Sequence, residues 1–157
     1  MRVAILTASD RCSAGEAVDE SGPAVENFCV AQGWEVIYRA IVPDELERLA
    51  GALEHCVYGM RADLVLTTGG TGLGPRDVTP EATIRVCDRL APGIAETLRA
   101  ESLKKTPFAM LSRGVAGTMG RTLLINLPGS PRAVVECLEI LQPILGHAVA
   151  VAGGASH

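Results

Sequence analysis

Short apolar runs alternate with amphipathic stretches along the chain, and the period of each predicts its element. Val3–Ala8 is a mainly apolar run of strand length, and the polar stretch from Ser9 to Ser21 reads as a loop. Ser21-Gly22-Pro23 opens a helix with Val25, Phe28 and Cys29 on its apolar side, and Gly33 closes it. Trp34–Val42 is rich in β-formers. Asp44 stands where it would cap the next helix, with Glu47 in the reciprocal position. Leu46, Leu49, Leu53 and Val57 then recur at helical spacing.

Leu64–Thr68 suits a strand buried on both faces, and Gly69-Gly70-Thr71-Gly72-Leu73-Gly74 follows it as a loop. Thr79-Pro80-Glu81 supplies a cap, a first-turn proline and an early acid, predicting a helix to about Arg89. A further helix is predicted from Gly93 to Lys105, and Thr122–Leu127 is the last clear strand. Pro128-Gly129-Ser130-Pro131 leads into a helix through about Leu141. Gln142-Pro143 reads as the start of a separate final helix ending near Gly153-Gly154. The alternation predicts an α/β fold: a mostly parallel sheet with helices on both faces, residues 1–157 forming one domain. Ligands of such sheets bind beyond the carboxyl ends of the strands, so the loops leaving the strands are the candidate chemistry.

Composition narrows the classes of function. Of 157 residues 17 are glycine and only 3% are aromatic, which opposes the stacking platforms used by single-strand nucleic-acid modules. A net charge of −4 lacks the basic footprint of a nucleic-acid binder, and all but two of the 14 basic residues are arginine. No unbroken apolar run reaches the ~18 residues of a spanning helix, so no membrane role is expected. The apolar start, Met1 to Leu6, is too short for a signal peptide before Thr7-Ala8-Ser9-Asp10-Arg11 breaks it. Cys12, Cys29, Cys56, Cys87 and Cys137 are at least 17 positions apart and form no metal or redox pair. They fit reduced, mostly core thiols of a cytoplasmic protein.

Four loops carry candidate chemistry. In Thr67 to Pro80, four glycines in six positions let backbone N–H groups approach an anion, and a helix starting at Thr79 would add its positive end. A tight connecting turn is the plain alternative; Thr68, Thr71, Arg76 and Asp77 favour a phosphate site. The loop is not a P-loop, because no Gly-Lys pair exists, and Pro75 stands where the dinucleotide fingerprint needs glycine. Asp44 and Asp77 each follow a strand end, where carboxylates beside phosphates hold a divalent metal such as Mg²⁺. Capping alone accounts equally well for Asp44.

Asn126-Leu127-Pro128-Gly129-Ser130-Pro131 is a stiff loop with polar groups suited to a flat heterocycle, and Ser130 also caps the next helix. Ser9, Asp10 and Arg11 leave the first strand at the same edge. His55, His147 and His157 have no ligand spacing, and Ser13, Ser102 and Ser112 lack a nucleophile elbow. Arg85, Arg89 and Arg99 read as solvated helix faces; Arg113 fits no single role.

Thr67-Thr68-Gly69-Gly70-Thr71-Gly72, continuing through Gly74-Pro75-Arg76-Asp77-Val78-Thr79-Pro80-Glu81-Ala82-Thr83, closely resembles the signature of the MogA/MoaB-type molybdopterin-binding family. Ser9-Asp10-Arg11, Pro43-Asp44, Leu111-Ser112-Arg113 and Leu127-Pro128-Gly129-Ser130-Pro131 fall in that family's order, so the resemblance spans nearly the whole chain. It implies a three-layer α/β/α sandwich and adenylyl transfer from Mg-ATP to molybdopterin in molybdenum cofactor biosynthesis. It further implies Asp44 and Asp77 as the essential acids, with Mg²⁺ as their metal. Ser9, Asp10, Thr68, Gly69, Gly70, Thr71, Gly72, Arg76, Ser112, Asn126, Pro128, Gly129, Ser130 and Pro131 would be the ligand-binding set. A homotrimer or hexamer, and hand-over of product to a molybdate-insertion protein, are further implications. A non-catalytic scaffold of the same family and a related nucleotide-sugar pyrophosphatase remain the alternatives.

Overall fold

The computed structural model describes residues 1–156. Four strands run parallel: β2 (Glu35–Val42) at one edge, then β1 (Arg2–Ala8), β3 (Leu64–Thr68) and β6 (Thr122–Leu127). Two antiparallel strands, β4 (Arg89–Leu90) and β5 (Ala116–Met119), finish one edge, giving the order β2-β1-β3-β6-β5-β4. The expected sandwich is present, because alternate residues of each central strand feed opposite faces. Val3, Ile5, Leu64, Leu66, Leu123 and Ile125 meet helices α2 (Ser21–Ala31), α5 (Pro92–Leu103) and α6 (Pro131–Ala152). Ala4, Leu6, Val65 and Leu124 meet α3 (Leu46–Glu54) and α4 (Thr79–Val86) on the other face. Strands buried on both sides cannot alternate apolar with polar, which explains their continuous apolar runs.

Several boundaries differ from expectation for identifiable reasons. The Ser9–Ser21 stretch contains a short helix, α1 (Asp10–Ser13), started by Ser9, whose Oγ accepts from the Cys12 N–H at 3.1 Å. Asp44 does not cap α3; Glu45 occupies that position without a side-chain bond, and the Asp44 carboxylate turns toward the end of β1 instead. Thr79 is likewise the first helical residue of α4, not its cap, and its hydroxyl donates to the Gly69 carbonyl. That helix stops at Val86, short of Arg89, where β4 begins. Past Glu54, α3 runs on into one wider π-type turn, His55–Gly59.

The two helices expected around Pro143 are one. Glu139, whose carbonyl loses its i+4 partner to the proline, is exposed, so water serves it, while Val134, Cys137, Leu138, Leu141 and Leu145 form one buried stripe. By length and composition α6 is also the one described helix able to cross a membrane. Here that buried stripe packs on the sheet. Strands β4 and β5 escaped sequence reading because one has two exposed residues and the other is Ala-Gly-Thr-Met. Pairing rather than propensity makes them: β5 and β6 join through Gly120, at φ +58°, whose N–H donates to Asp88 at 2.6 Å.

The reversal of strand order at β1 opens a crevice between the ends of β1 and β3. Asn126 ties the neighbouring β6 to it from inside. Its amide donates to Thr67 Oγ1 and Thr83 Oγ1, both at 2.9 Å, and its Oδ1 accepts from the Val115 N–H at 3.1 Å. At 4% exposure it is a buried strut rather than the exposed group expected of its loop, and it also forms part of the wall of the apolar cavity at the end of β6. Asn126→Ala removes one hydrogen bond from each of those three partners, and chemical denaturation is expected to read a loss of about 2–4 kcal/mol.

Candidate active site at the carboxyl edge of the sheet

The chain leaving β3 passes close to everything around it. Gly69 and Gly70 take φ of +87° and +66°. A Cβ on Gly69 would run into the Ala8 carbonyl, and one on Gly70 would strike Thr79 Oγ1 and lie 2.9 Å from Asp44 Oδ1. Thr68 Oγ1 donates to the Pro128 carbonyl at 2.7 Å, and the Gly69 N–H donates to the Leu127 carbonyl at 3.3 Å. The Thr68 hydroxyl proton and the Gly69 N–H therefore hold the loops together and are not free to donate to a ligand. The Gly74 N–H is also engaged, donating to Asp77 Oδ2 at 2.9 Å. The expected anion cradle is thus narrower than the glycine count implied.

Four charged residues converge beside Gly70. The Asp10 N–H donates to Asp44 Oδ2 at 2.8 Å, and the Asp44 N–H donates to Asp10 Oδ1 at 3.0 Å. Arg76 reaches over from the glycine loop and grips both Asp10 oxygens at 2.9 and 3.0 Å. This Arg76 contact, foremost, holds the Asp10 carboxyl below its ordinary range. Asp44 is pushed the other way: burial, then the charges of Asp10 and Asp77, raise it above the usual carboxylate range, against the Asp10 N–H. Its Oδ1 is the one buried side-chain polar atom among the described residues without a hydrogen-bond partner. A bare, desolvated carboxylate oxygen facing a glycine is costly to folding and suited to a cation.

Among the described residues no three His, Cys, Asp or Glu side chains gather as an all-protein metal cage needs. Mg²⁺ commonly uses one or two carboxylates and takes its remaining ligands from phosphates and water. Asp44 and Asp77 fit that donor set.

Two cavities flank the glycine loop. One, of about 280 Å³, lies over the end of β6 and is mainly apolar, with Thr71, Gly72, Leu98, Leu111, Ser112 and Pro128 in its wall. The other, of about 250 Å³, lies between β1 and α2 and is more polar, reaching Ser9, Asp19, Gly69, Gly129 and Pro131. Ser130 stays outside both linings and caps α6, its Oγ accepting from the Ala133 N–H. A hollow of about 610 Å³ near Arg89, Gly120 and His147 sits at the opposite edge, away from every candidate residue. His157 lies outside the described residues.

Three residues of the site were misread or unread in the sequence. Asp19, 5% exposed, floors the polar cavity, accepting from Thr7 Oγ1 and from the Gly22 N–H at 2.9 Å and pairing with Arg39 at 3.6 Å. An acid three residues before a helix glycine was the available signal. Arg99 is not a solvated face: it donates to the Gly114 carbonyl at 2.8 Å and to that of Ser112 at 3.4 Å. Arg113 donates from Nε to the Gly72 carbonyl at 2.7 Å and from Nη2 to the Asp77 carbonyl at 2.6 Å, and it ion-pairs with Glu81. Arg113 stands in the Leu111-Ser112-Arg113 motif of the family resemblance, but neither it nor Arg99 carries a local signal for its carbonyl partners. The cysteines are all free thiols, and burial pushes Cys29 and Cys56 up to about 12, out of nucleophilic range.

Comparison with known proteins agrees with this geometry. Residues 4–147 match the family model described as a probable molybdopterin binding domain. A molybdopterin adenylyltransferase of Helicobacter pylori is 41% identical over 151 residues, covering 95% of this chain and 86% of its own. That of Escherichia coli K12 is 40% identical over 152 residues, covering 95% and 77%. The crystal structure of the molybdopterin biosynthesis enzyme MoaB of Thermus thermophilus superposes with a TM-score of 0.92. The two share 47% identity and cover 98% and 97% of their chains.

Two expectations test the geometry. Because the folded state raises the Asp44 pKa, it binds more protons than the unfolded chain between the unfolded and folded values. The Asp44 contribution to stability therefore falls as pH rises through that window. Thermal unfolding is expected to give Asp44→Asn a midpoint at pH 7 at or above wild type, the difference vanishing in acid. Gly70→Ala, by contrast, should lower the midpoint at every pH, since its left-handed φ and its contact with Thr79 do not titrate.

Proposed function

The chain belongs to the family of molybdopterin-binding domains, and from that premise we propose that it is a molybdopterin adenylyltransferase of molybdenum cofactor biosynthesis. In this reaction a terminal phosphate oxygen of molybdopterin attacks the α-phosphorus of ATP. The new P–O bond forms as the bond to the β-phosphate bridging oxygen breaks, and pyrophosphate leaves. No protein nucleophile is required, so catalysis is positioning and charge stabilisation. The observation that carries the reading is the unpartnered, desolvated Oδ1 of Asp44 beside Gly70, in the glycine loop whose neighbouring residues Gly69, Thr71 and Gly72 reach the two cavities.

Asp44 and Asp77 would hold Mg²⁺. When bound it neutralises the phosphates and the charge that develops on the departing oxygens. The chain's own contribution is orientation. Asp10, pinned by Arg76, fixes one Asp44 oxygen and leaves the other facing the loop. Gly70 and Gly72 admit a phosphate chain close to the backbone, and Thr71 with Gly72 connects that chain to the apolar cavity. Ser112 and Pro128 flank a flat ring there, while Ser9, Gly129 and Pro131 border the polar cavity for the second substrate.

Residues 1–157 act as one molybdopterin-binding domain in this reading, which the continuous sheet supports. Free thiols support a reducing, cytoplasmic setting. A homotrimer or hexamer and hand-over to a molybdate-insertion protein rest on the family resemblance alone. Light scattering tests the assembly against the 16.4 kDa chain.

Incubation with molybdopterin, ATP and Mg²⁺ is expected to yield adenylylated molybdopterin and pyrophosphate in equal amounts. Molybdopterin binding without either product would leave a non-catalytic binding module instead. Asp77→Asn is expected to cut turnover by about 10²-fold or more at an unchanged unfolding midpoint.

A further inference from the structure

The guanidinium of Arg113 bridges the mouth of the loop that carries Asp77. Its Nε bonds the Gly72 carbonyl, where the chain enters the loop, and its Nη2 bonds the Asp77 carbonyl, where the chain leaves. The Arg113 N–H adds a third tie, to the Thr71 carbonyl at 2.9 Å. Glu81, on the first turn of α4, pairs with the same guanidinium and is held below its ordinary carboxylate range by it. Between these ties the loop folds on itself. Asp77 Oδ2 accepts from the Gly74 N–H and would lie 2.9 and 2.8 Å from a Cβ on Gly72 or Gly74. Both neighbours of Arg113, Ser112 and Gly114, line the apolar cavity together with Thr71 and Gly72.

We infer that Arg113 is a positioning residue that clasps the two ends of the 72–77 loop and so sets the Asp77 carboxylate from the wall of the apolar cavity. A planar guanidinium presents donors in a fixed fork, so it can fix the separation of two carbonyls. A lysine ammonium in its place keeps the charge facing Glu81 but cannot span both oxygens. Arg99 independently braces Ser112 and Gly114, so the cavity itself stands without Arg113. Loss of the clasp therefore acts on the acid loop and spares the binding of the flat substrate. The structural half of this inference rests on the fold alone; its kinetic half rests on the adenylyl-transfer reading.

Two measurements on the full chain test it, with Arg113→Lys and Glu81→Gln as the variants. In amide hydrogen exchange, Arg113→Lys is expected to speed exchange across residues 72–78 by about tenfold or more while β1, β3 and β6 keep their protection. Unchanged exchange there overturns the clasp, and so does an equal effect in Glu81→Gln, which would make the ion pair the actor. If Arg113→Lys unfolds, Glu81→Gln decides alone: it is expected to hold wild-type exchange in 72–78, and a tenfold rise would overturn the proposal.

In the adenylyl-transfer assay, Arg113→Lys is expected to lower kcat about tenfold or more with the molybdopterin KM within about twofold. In an Asp77→Asn background the same change should cost less than about twofold, because residues acting as a unit are not additive. A full additive loss, or a raised KM at unchanged kcat, overturns the inference. If the wild-type chain transfers no adenylyl group while Arg113→Lys still shows the exchange effect, the proposed reaction falls and the clasp stands.

Discussion

The Ala8 carbonyl presses on Gly69 from the end of β1, and Gly129, in the loop after β6, packs against it from the other side, leaving no space for a side chain. That closeness is what the sheet topology demands at this point. The ends of β1, β3 and β6 lie side by side, and β3 must exit between two neighbours that are themselves turning. The left-handed backbone at Gly69 and Gly70 lets it do so. The same two residues then bring the backbone against Asp44 and Thr79, so one steric constraint both closes the fold and shapes the site. Glycine excess, at first only a compositional oddity, is explained in part by this corner.

An acidic protein that takes anionic substrates has to solve its electrostatics locally. Here the two arginines that touch the acids of the site and their loop are already paired: Arg76 with Asp10, Arg113 with Glu81. The arrangement is therefore not a patch of free positive charge. It is a frame in which arginines fix carboxylates and carbonyls, and one carboxylate oxygen is left without a partner. Asp44 is desolvated and lies near two other acids, so its surroundings disfavour its charge. Strain of this kind resides where a ligand relieves it, which is a stability–function trade-off built into a single side chain.

What the sequence made legible followed from physics that acts locally. The apolar runs of β1, β3 and β6 announced strands buried on both faces, and Gly69 to Gly74 announced a close backbone approach. The family signature then joined Asp44 to Asp77 across 33 positions, a pairing no local rule supplies. What stayed hidden depended on tertiary partners. Asp44 looks like a helix cap by position, but the Asp10 N–H outcompetes the helix for its carboxylate. Asn126 looks like an exposed loop residue and instead ties Thr67, Thr83 and Val115 together from a buried position. Pro143 looks like a helix boundary, yet the buried stripe on the opposite side of α6 holds the helix through it.

Arg99 and Arg113 show why the partners of an arginine are hard to read from sequence. Arg99 and Arg113 bond backbone carbonyls, and a carbonyl has no residue identity to leave a mark in the sequence. Their targets are nevertheless specific, because Gly72, Asp77 and Gly114 have carbonyls that the loops turn outward from any ladder. A loop with no regular hydrogen bonding must satisfy its carbonyls some other way, and a planar, permanently charged donor does this at several points at once. It follows that the long glycine loop, the least regular segment at the sheet edge, is held in a fixed conformation by side chains from outside it.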